Sequence, residues 1–303
     1  MPRAVNFKSE MNLLKLVSRF DNDEKCRMHL EELRWPDGVR CVRCQSAKIS
    51  RMYKRNQFAC ESCGYQFSVT AGTIFHDSHL PLRKWFIAIL LICESKKGMS
   101  ALQLKRTLGV AYKTAWYLCH RIREAVKDAD NSLLKGIVEM DETYVGGKAK
   151  NMHKDVRARK IHGRGSVGKV AVAGVLQRQG AVIARVVTDT EAATLIPFVE
   201  ERVLPSTMVY TDEWASYNDL GASGYQHRRV HHSAKVWVRG DAHTNGIEGF
   251  WSLVKNGIRG VNHSVSAKYL QTYLNEYAFR NSRRFDTTPM FESFLTQVRK
   301  SSD

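Results

Sequence analysis

The sequence predicts an α/β core, a mixed sheet flanked by helices, preceded by a small cysteine-rich module and a helical segment. Two Cys-x-x-Cys pairs near the N-terminus predict the module. Apolar residues at helical spacing between positions 82 and 126 predict the helices. Short β-branched runs and one helical pattern between positions 136 and 212 predict the core.

Length and hydropathy indicate a folded protein without membrane segments. The chain has 303 residues, of which 43% are hydrophobic, enough for two or three domain cores. The longest apolar run, WFIAILLIC at 85–93, is too short to cross a bilayer. The first twenty residues carry several charges and no apolar secretion signal. We therefore expect a cytoplasmic protein.

The charge balance favours a polyanionic partner. Lys and Arg number 47 against 30 Asp and Glu, giving a net charge of +17 and an isoelectric point near 9.7. Nucleic acid is the first expectation for such a surface, although ribosomal and membrane-surface proteins are also basic. Charge alone does not separate DNA from RNA.

Four cysteines have the spacing of a zinc ribbon. They are Cys41, Cys44, Cys60 and Cys63. Four thiolates complete a tetrahedral site, so one Zn²⁺ held there is expected to be structural. Two disulfides are the alternative, which an odd cysteine count and the missing export signal disfavour. The other three, Cys26, Cys93 and Cys119, lie in helical patterns and are expected to be buried.

The segment from 82 to 126 has the layout of a helix-turn-helix. Ser100 is placed to cap the second helix, and Gly109 is placed to end it. The third helix would present DNA-contacting side chains, while an apolar set packs beneath. The predicted DNA contacts are Tyr112, Lys113, Thr114 and Arg121, and the predicted packing set is Leu102, Leu104, Leu108, Ala115 and Leu118. Helices of this kind also occur as plain core or oligomerisation elements.

Acidic residues end two predicted strands. GIVEMDETYVGGK at 136–148 carries Asp141, and TMVYTDEWASY at 207–217 carries Asp212. A basic stretch predicted as a surface loop, then a hairpin and a helix, separate them. This order suits a fold like ribonuclease H, in which the first and fourth strands are neighbours. Clustered carboxylates would need cations between them, for which two Mg²⁺ ions are suited. Solvated surface acids are the alternative.

A polar stripe follows on a predicted helix. In HTNGIEGFWSLVK at 243–255, Asn245, Glu248 and Lys255 fall near one face. Ile247, Phe250, Trp251 and Leu253 are expected to anchor the helix. The stripe is either a solvated edge or part of a site.

Taken together, several blocks resemble a known family over nearly the whole chain. They are RWPDGVRCVRC at 34–44, QFSVTAGTIFHDSHLPLRKWF at 66–86, MDETYVGGK at 140–148, YTDEWASY at 210–217 and HTNGIEGFWSLVKNGIRG at 243–260. The sequence is similar to bacterial insertion-sequence transposases of the DDE type that carry an N-terminal zinc ribbon. One position departs from the pattern, since Gln45 stands where a glycine often follows the first cysteine pair.

The resemblance implies a ribonuclease H-like catalytic domain in which Asp141 and Asp212 bind two Mg²⁺ or Mn²⁺ ions. Glu248 is favoured as the third ligand by its spacing from Asp212, with Asn245 as the alternative. Lys255 is implied to contact the DNA backbone near the cut bond. Implied partners are double-stranded DNA, both element terminal repeats and target, and further copies of the chain in a homodimer or larger assembly. The implied location is the bacterial nucleoid.

The expected segments are an N-terminal helix and zinc ribbon (1–78), a helix-turn-helix-like segment (79–131), the DDE catalytic domain (132–262) and a basic helical segment (263–303). The expected function is metal-dependent cleavage and strand transfer at insertion-sequence ends. Two alternatives are a non-catalytic, transposase-derived DNA-binding regulator and a structure-selective nuclease of the same fold.

Overall fold

A computed structural model describes residues 11–127, 132–147, 152–160, 167–230 and 243–298. Their contacts divide the chain into two compact units, residues 1–127 with 286–303, and residues 128–285. The segment 263–303, predicted from the sequence as a single basic helical segment, contributes a helix to each unit. The other segment limits proposed from sequence stay predictions.

The regular elements alternate as follows. The helices are α1 (Leu13–Arg19), α2 (Asp23–Arg34), α3 (Leu82–Glu94), α4 (Ala101–Leu108), α5 (Tyr112–Ala125), α6 (Lys154–Lys160), α7 (Ala192–Arg202), α8 (Asn245–Gly257), α9 (Ala267–Arg283) and α10 (Met290–Val298). The strands are β1 (Ile49–Met52), β2 (Gln57–Cys60), β3 (Gln66–Phe67), β4 (Ile137–Val145), β5 (Val170–Gln177), β6 (Val182–Val187), β7 (Met208–Thr211) and β8 (Gln226–Arg229). None of these helices is long and apolar enough to cross a membrane.

Aromatic packing joins the N-terminal and C-terminal segments of the first unit. The ring of Phe86 on α3 lies 4.9 Å from that of Phe20 and 5.6 Å from that of Phe291 on α10. All three rings are almost fully buried. Burial of several aromatic rings supplies much of the stability of a small core, so α10 is an integral part of this unit.

The predicted helix-turn-helix geometry is present in α4 and α5. The Ser100 hydroxyl accepts a hydrogen bond from the amide of Gln103, as an N-cap does, and Gly109 ends α4 with a φ of 61°. Leu104, Leu108, Ala115 and Leu118 are buried as expected. The prediction was wrong for Leu102, which is 45% exposed because it lies on the outer face of α4. Cys26, Cys93 and Cys119 are buried, as predicted.

The second unit is built on a five-stranded mixed sheet with the order β6-β5-β4-β7-β8. Strands β4, β5 and β6 are antiparallel neighbours, whereas β4, β7 and β8 are parallel. The first and fourth strands of this unit are therefore adjacent, as the predicted element order requires. The basic stretch after β4, predicted as a loop, contains α6.

Helices cover both faces of this sheet. One core cluster packs α7 residues such as Leu195 and Phe198 against β4 and β5, and the other packs α8 and α9 residues such as Phe250 and Leu274 against the opposite face. Strand β6 forms one edge, where Ser282 and Gln271 of α9 accept hydrogen bonds from its amides. Such cover satisfies polar groups that an open edge would leave free.

Gly174 on β5 allows α8 to approach the sheet closely. It pairs in register with Asp141 of β4. A Cβ atom added at Gly174 would lie 2.6 Å from Cζ2 of Trp251 and 3.2 Å from Cδ1 of Ile247, and both of these side chains belong to α8. The absence of a side chain at this position thus sets the distance between α8 and the strand that carries Asp141.

We predict that Gly174→Ala lowers the free energy of unfolding by about 1–3 kcal/mol, the usual cost of an extra methyl group in a packed core. Urea denaturation would measure the change. Gly221→Ala is the matched control, because a Cβ there meets nothing within 4 Å. Equal stability of the two variants would contradict the close approach of α8.

Candidate active site

The strand register brings two predicted site acids to one end of the sheet. Glu139 of β4 pairs with Tyr210 of the parallel strand β7. Asp141 lies two residues further along β4, and Asp212, the residue directly after β7, lies two residues beyond Tyr210. The Asp212 carboxylate also accepts a hydrogen bond of 2.9 Å from the amide of Trp214, which orders the turn after β7. The strand register therefore places Asp141 and Asp212 at matching positions at this end of the sheet.

The charge environment of Asp141 is strongly acidic. Burial raises the pKa of its carboxyl group to about 8, and the nearby carboxylates of Glu142, Asp212 and Glu248 add to this rise. Burial disfavours the ionised form, and like charges disfavour it further. A bound cation would reverse both effects, so this arrangement has the electrostatics that a divalent ion relieves.

Helix α8 presents the predicted polar stripe on its outer side. Asn245 and Glu248 are exposed, and Lys255 is half-buried. Glu248 accepts a hydrogen bond of 2.7 Å from the hydroxyl of Thr244. Burial lowers the pKa of Lys255, the charge of Asp141 opposes this change, and the positive charges of Arg259 and Lys169 reinforce it. The stripe thus adjoins the acids at the sheet end, while Ile247, Phe250 and Trp251 are buried and Leu253 is partly buried.

The three candidate acids do not form a compact group of metal ligands. Within the described ranges, the four cysteines are the one group of three or more metal-binding side chains whose ligand atoms all lie within 4.8 Å of each other. The charges of Asp212 and Glu248 act on Asp141, but the ligand atoms of these three side chains do not all lie within 4.8 Å of one another. Their role as ligands stays a prediction, as does the choice between Glu248 and Asn245.

Glu142 and Tyr217 form a second polar pair beside these acids. The Tyr217 hydroxyl donates a hydrogen bond to the carboxylate of Glu142. Burial raises the pKa of Glu142, this hydrogen bond lowers it, and the charge of Asp212 raises it. Tyr217 is fully buried in the core against α7, so it fixes Glu142 on the sheet face opposite to α8.

Glu139 connects β4 to α8, a role that was not predicted from the sequence. Its side chain is 1% exposed and accepts hydrogen bonds of 3.0 Å from the amide of Ile247 and 2.8 Å from Nε of Arg178. Arg178 in turn donates to the carbonyl of His243 at 2.9 Å. A Cβ at Gly246 would lie 2.7 Å from Oε2 of Glu139, so the glycine gives the carboxylate access. Glu139 therefore caps the start of α8, where amides lack helical partners.

The cysteine module has the geometry of a zinc site. The Sγ atoms of Cys41 and Cys63 are 3.7 Å apart, and those of Cys44 and Cys60 are 3.5 Å apart. Four sulfurs at roughly 2.3 Å from one tetrahedral ion would be separated by about 3.8 Å. The residues present therefore fit a structural Zn²⁺, as predicted.

The two cysteine pairs end in matching turns. The amide of Gln45 donates to the carbonyl of Cys41 at 2.9 Å, and the amide of Gly64 donates to that of Cys60 at 2.8 Å. Gln45 has a φ of 60° and Gly64 a φ of 69°. Gln45 thus adopts the left-handed conformation that favours glycine, and the departure noted in the sequence leaves the turn unchanged.

The predicted DNA contacts on α5 differ in their surroundings. Tyr112 and Lys113 are exposed, and Thr114 is half-buried. Arg121 donates hydrogen bonds to the carbonyls of Ile74 and Thr73 at 3.0 and 3.2 Å, which attach α5 to the preceding loop. Its guanidinium therefore has an evident structural task, and its contact with DNA stays a prediction.

We predict that Glu139→Gln lowers the free energy of unfolding by about 1.5–3 kcal/mol, because a buried charged acceptor of two hydrogen bonds is lost. Chemical denaturation would measure this. Glu201→Gln is the matched control: Glu201 also pairs with an arginine, Arg185, but is half exposed, so its loss should cost less than about 1 kcal/mol. A Glu139 variant as stable as the control would refute the cap.

We predict that Gln45→Gly raises the stability of the zinc-loaded protein by up to about 1 kcal/mol, since it relieves left-handed strain. Thermal unfolding at saturating zinc would detect it. Gly64→Ala should have the opposite effect. A fall in stability with Gln45→Gly would show that its side chain contributes more than its backbone conformation costs.

Comparison with known proteins finds a family match in each of the two units. Residues 133–282 match the ISXO2-like transposase domain, and residues 21–66 match the transposase zinc-ribbon domain. A Halobacterium salinarum protein described as an uncharacterized protein in transposable element ISH50 is 29% identical over 294 residues, 92% of this chain and 99% of that protein.

An uncharacterized transposase-like protein of Haemophilus influenzae is 34% identical over 99 residues, which are 32% of this chain and 79% of that protein. The zinc-ribbon match coincides with the four-cysteine cluster, and the transposase-domain match spans the sheet with the acids. The chain therefore belongs to the transposase family that combines a zinc ribbon with an ISXO2-like transposase domain.

Proposed function

We propose that the protein is a DDE-type DNA transposase, which cuts DNA at the ends of an insertion sequence and joins the freed ends to target DNA. The proposal is carried by the matching positions of Asp141 on β4 and Asp212 directly after the neighbouring parallel strand β7, with the charge of Glu248 acting on Asp141. Partly buried acids gathered in this way are costly unless they bind cations.

Asp141, Asp212 and Glu248 would hold two Mg²⁺ or Mn²⁺ ions. When bound, such ions activate an attacking oxygen and stabilise the leaving oxygen in phosphoryl transfer. We favour Glu248 over Asn245 as the third ligand because the Glu248 charge raises the pKa of Asp141. The Thr244 hydroxyl, which donates to Glu248, would orient that carboxylate.

Lys255 would bind the phosphate next to the cut bond. This residue is half-buried, and the charge of Asp141 acts on its ammonium group. A positive charge held in this place reduces the repulsion between the acids and the DNA backbone. Correct positioning and neutralisation of charge are the main protein contributions to phosphoryl transfer.

The zinc ribbon and α5 would recognise the terminal repeats. Tyr112, Lys113 and Thr114 lie at the start of α5, the part of a recognition helix that commonly contacts bases. Two ends must be joined to one target, so we propose a homodimer or larger assembly on DNA. Cytoplasmic, nucleoid-associated action follows from this substrate.

We predict that Asp141→Asn lowers cutting by about 100-fold or more, because one carboxylate that should act mainly in the transition state is lost. The assay uses a supercoiled plasmid that carries the gene with its native flanking DNA, Mg²⁺, and mapping of 3′-hydroxyl ends. Asp219→Asn, which removes an exposed acid, should cut normally. Under the same conditions, Glu248→Gln should be as defective as Asp141→Asn, and Asn245→Ala less so.

The alternatives give different products. Specific binding without wild-type cutting would favour a DNA-binding regulator, whereas cuts without joined strand-transfer products would favour a nuclease. Equal cutting by wild type and Asp141→Asn would refute the proposed active site.

A further inference from the structure

A cleft opens beside Lys255 on the second unit, and we name it the flanking cleft. Its volume is about 450 Å³. It is lined by Tyr144, Val145, Gly146, Gly147, Lys255, Ile258, Arg259, His263, Ser264 and Val265. One wall is thus the end of β4, three to six residues beyond Asp141, and the other is the end of α8 with the segment that follows it. The same two elements carry candidate acids, Asp141 on β4 and Glu248 on α8.

Positive charges converge on this cleft. Arg259 is exposed four residues after Lys255, and its charge lowers the pKa of Lys255 in addition to the effect of burial. Lys169 acts on Lys255 in the same sense and packs against Gly146 in the cleft wall. In the parts of the chain that the structure describes, no carboxylate forms an ion pair with Lys255 or Arg259. Cations gathered without a partner are stabilised by an anion.

The backbone around Arg259 is unusual. Helix α8 continues directly into a π-helical turn at Ile258–Asn262, and His263 after it has a φ of 61° and a ψ of −51°. Such turns and positive φ values at residues other than glycine are uncommon and cluster at functional sites. Here they direct the chain around the cleft, so that Arg259 and His263 both line it.

The cleft is only partly polar. Val145, Ile258 and Val265 contribute an apolar lining next to the cations. Sites for small ligands have volumes of roughly 300–1,000 Å³, so this cleft has room for one nucleotide but not for a base-paired duplex. A phosphate alone would need neither the depth nor the apolar surface.

We propose that the flanking cleft binds one nucleotide of the cut strand, drawn out of the duplex next to the scissile phosphate. Arg259 and Lys255 would bind its phosphate, and the apolar lining would contact its sugar and base. This inference rests on the proposed function, since it assumes that the acids contact DNA. It adds that the strand is locally unpaired when it reaches them, which would expose the bond to be cut.

The test measures base unstacking in the complex. Footprinting of the wild-type protein on the flanking DNA first locates the bound end without any need for cutting. Duplexes of that end then carry 2-aminopurine, whose fluorescence rises on unstacking, at successive positions near the inner edge of the footprint and the element boundary. Ca²⁺ replaces Mg²⁺, and the protein is added to saturation. We expect a rise at one position or at two adjacent ones.

Arg259→Ala should abolish this rise in the saturated complex, and Arg259→Lys, which keeps the charge, should retain most of it. Arg228→Ala is the matched control, because it removes an exposed arginine of β8 outside the cleft lining. A saturated complex without any rise would overturn the proposal. So would a rise that Arg259→Ala and Arg228→Ala leave equally intact.

The two proposals fail in different ways. A fluorescence rise without Mg²⁺-dependent cutting would refute the catalytic proposal and keep the cleft as a nucleotide site. Normal cutting without a rise would refute the cleft alone. Absence of any footprint would overturn both.

Discussion

The hydrogen bonds of the buried Glu139 carboxylate are the constraint on which the candidate site depends. They join the strand that carries Asp141 to the first turn of the helix that carries Glu248. An ionised acid in a dry core is costly unless it is fully paired, and here Arg178 and a helix amide supply the partners. The hydrogen bond from Ile247 also satisfies an amide at the start of α8. The same interaction therefore stabilises the fold and fixes the geometry of the site. Gly174 completes this constraint by allowing the helix to lie close to the sheet.

The site balances charges that would otherwise oppose folding. Burial and then nearby carboxylates raise the pKa of Asp141, whereas burial and then the cations Arg259 and Lys169 lower the pKa of Lys255. The cluster of carboxylates and the cluster of cations are each unfavourable alone, and they lie at different positions along β4 and α8. A substrate with a negatively charged backbone would contact metal cations bound at the acids and the side-chain cations beyond them. It would thereby relieve the repulsion within both groups. The energetic cost in the free protein is therefore consistent with a surface shaped for a polyanion.

Much of the fold could be predicted from sequence because its signals are local. Cysteine spacing, a cap at Ser100 and a glycine at 109 each depend on neighbouring residues, and the order of strands and helices was sufficient to expect adjacent strands for Asp141 and Asp212. Glu139 was not identified, because an acid on the same strand face as Asp141 reads as one more polar residue until its partners are known. Those partners, Arg178 and Ile247, are distant in the chain. Leu102 was misassigned because a short amphipathic helix does not define which edge of its apolar face is covered.

The length of the polar stripe on α8 explains how one helix can serve two parts of the site. At 1.5 Å per residue, the seven residues from Glu248 to Lys255 span about 10 Å along the helix axis. The helix therefore begins at the acids, where Glu139 anchors it, and ends at the flanking cleft, where the π-helical turn starts. One rigid element then fixes both the proposed metal ligand and the proposed phosphate contact. A change that shifted the helix would misplace both together, so the close packing beneath it matters as much to the chemistry as the side chains on its surface.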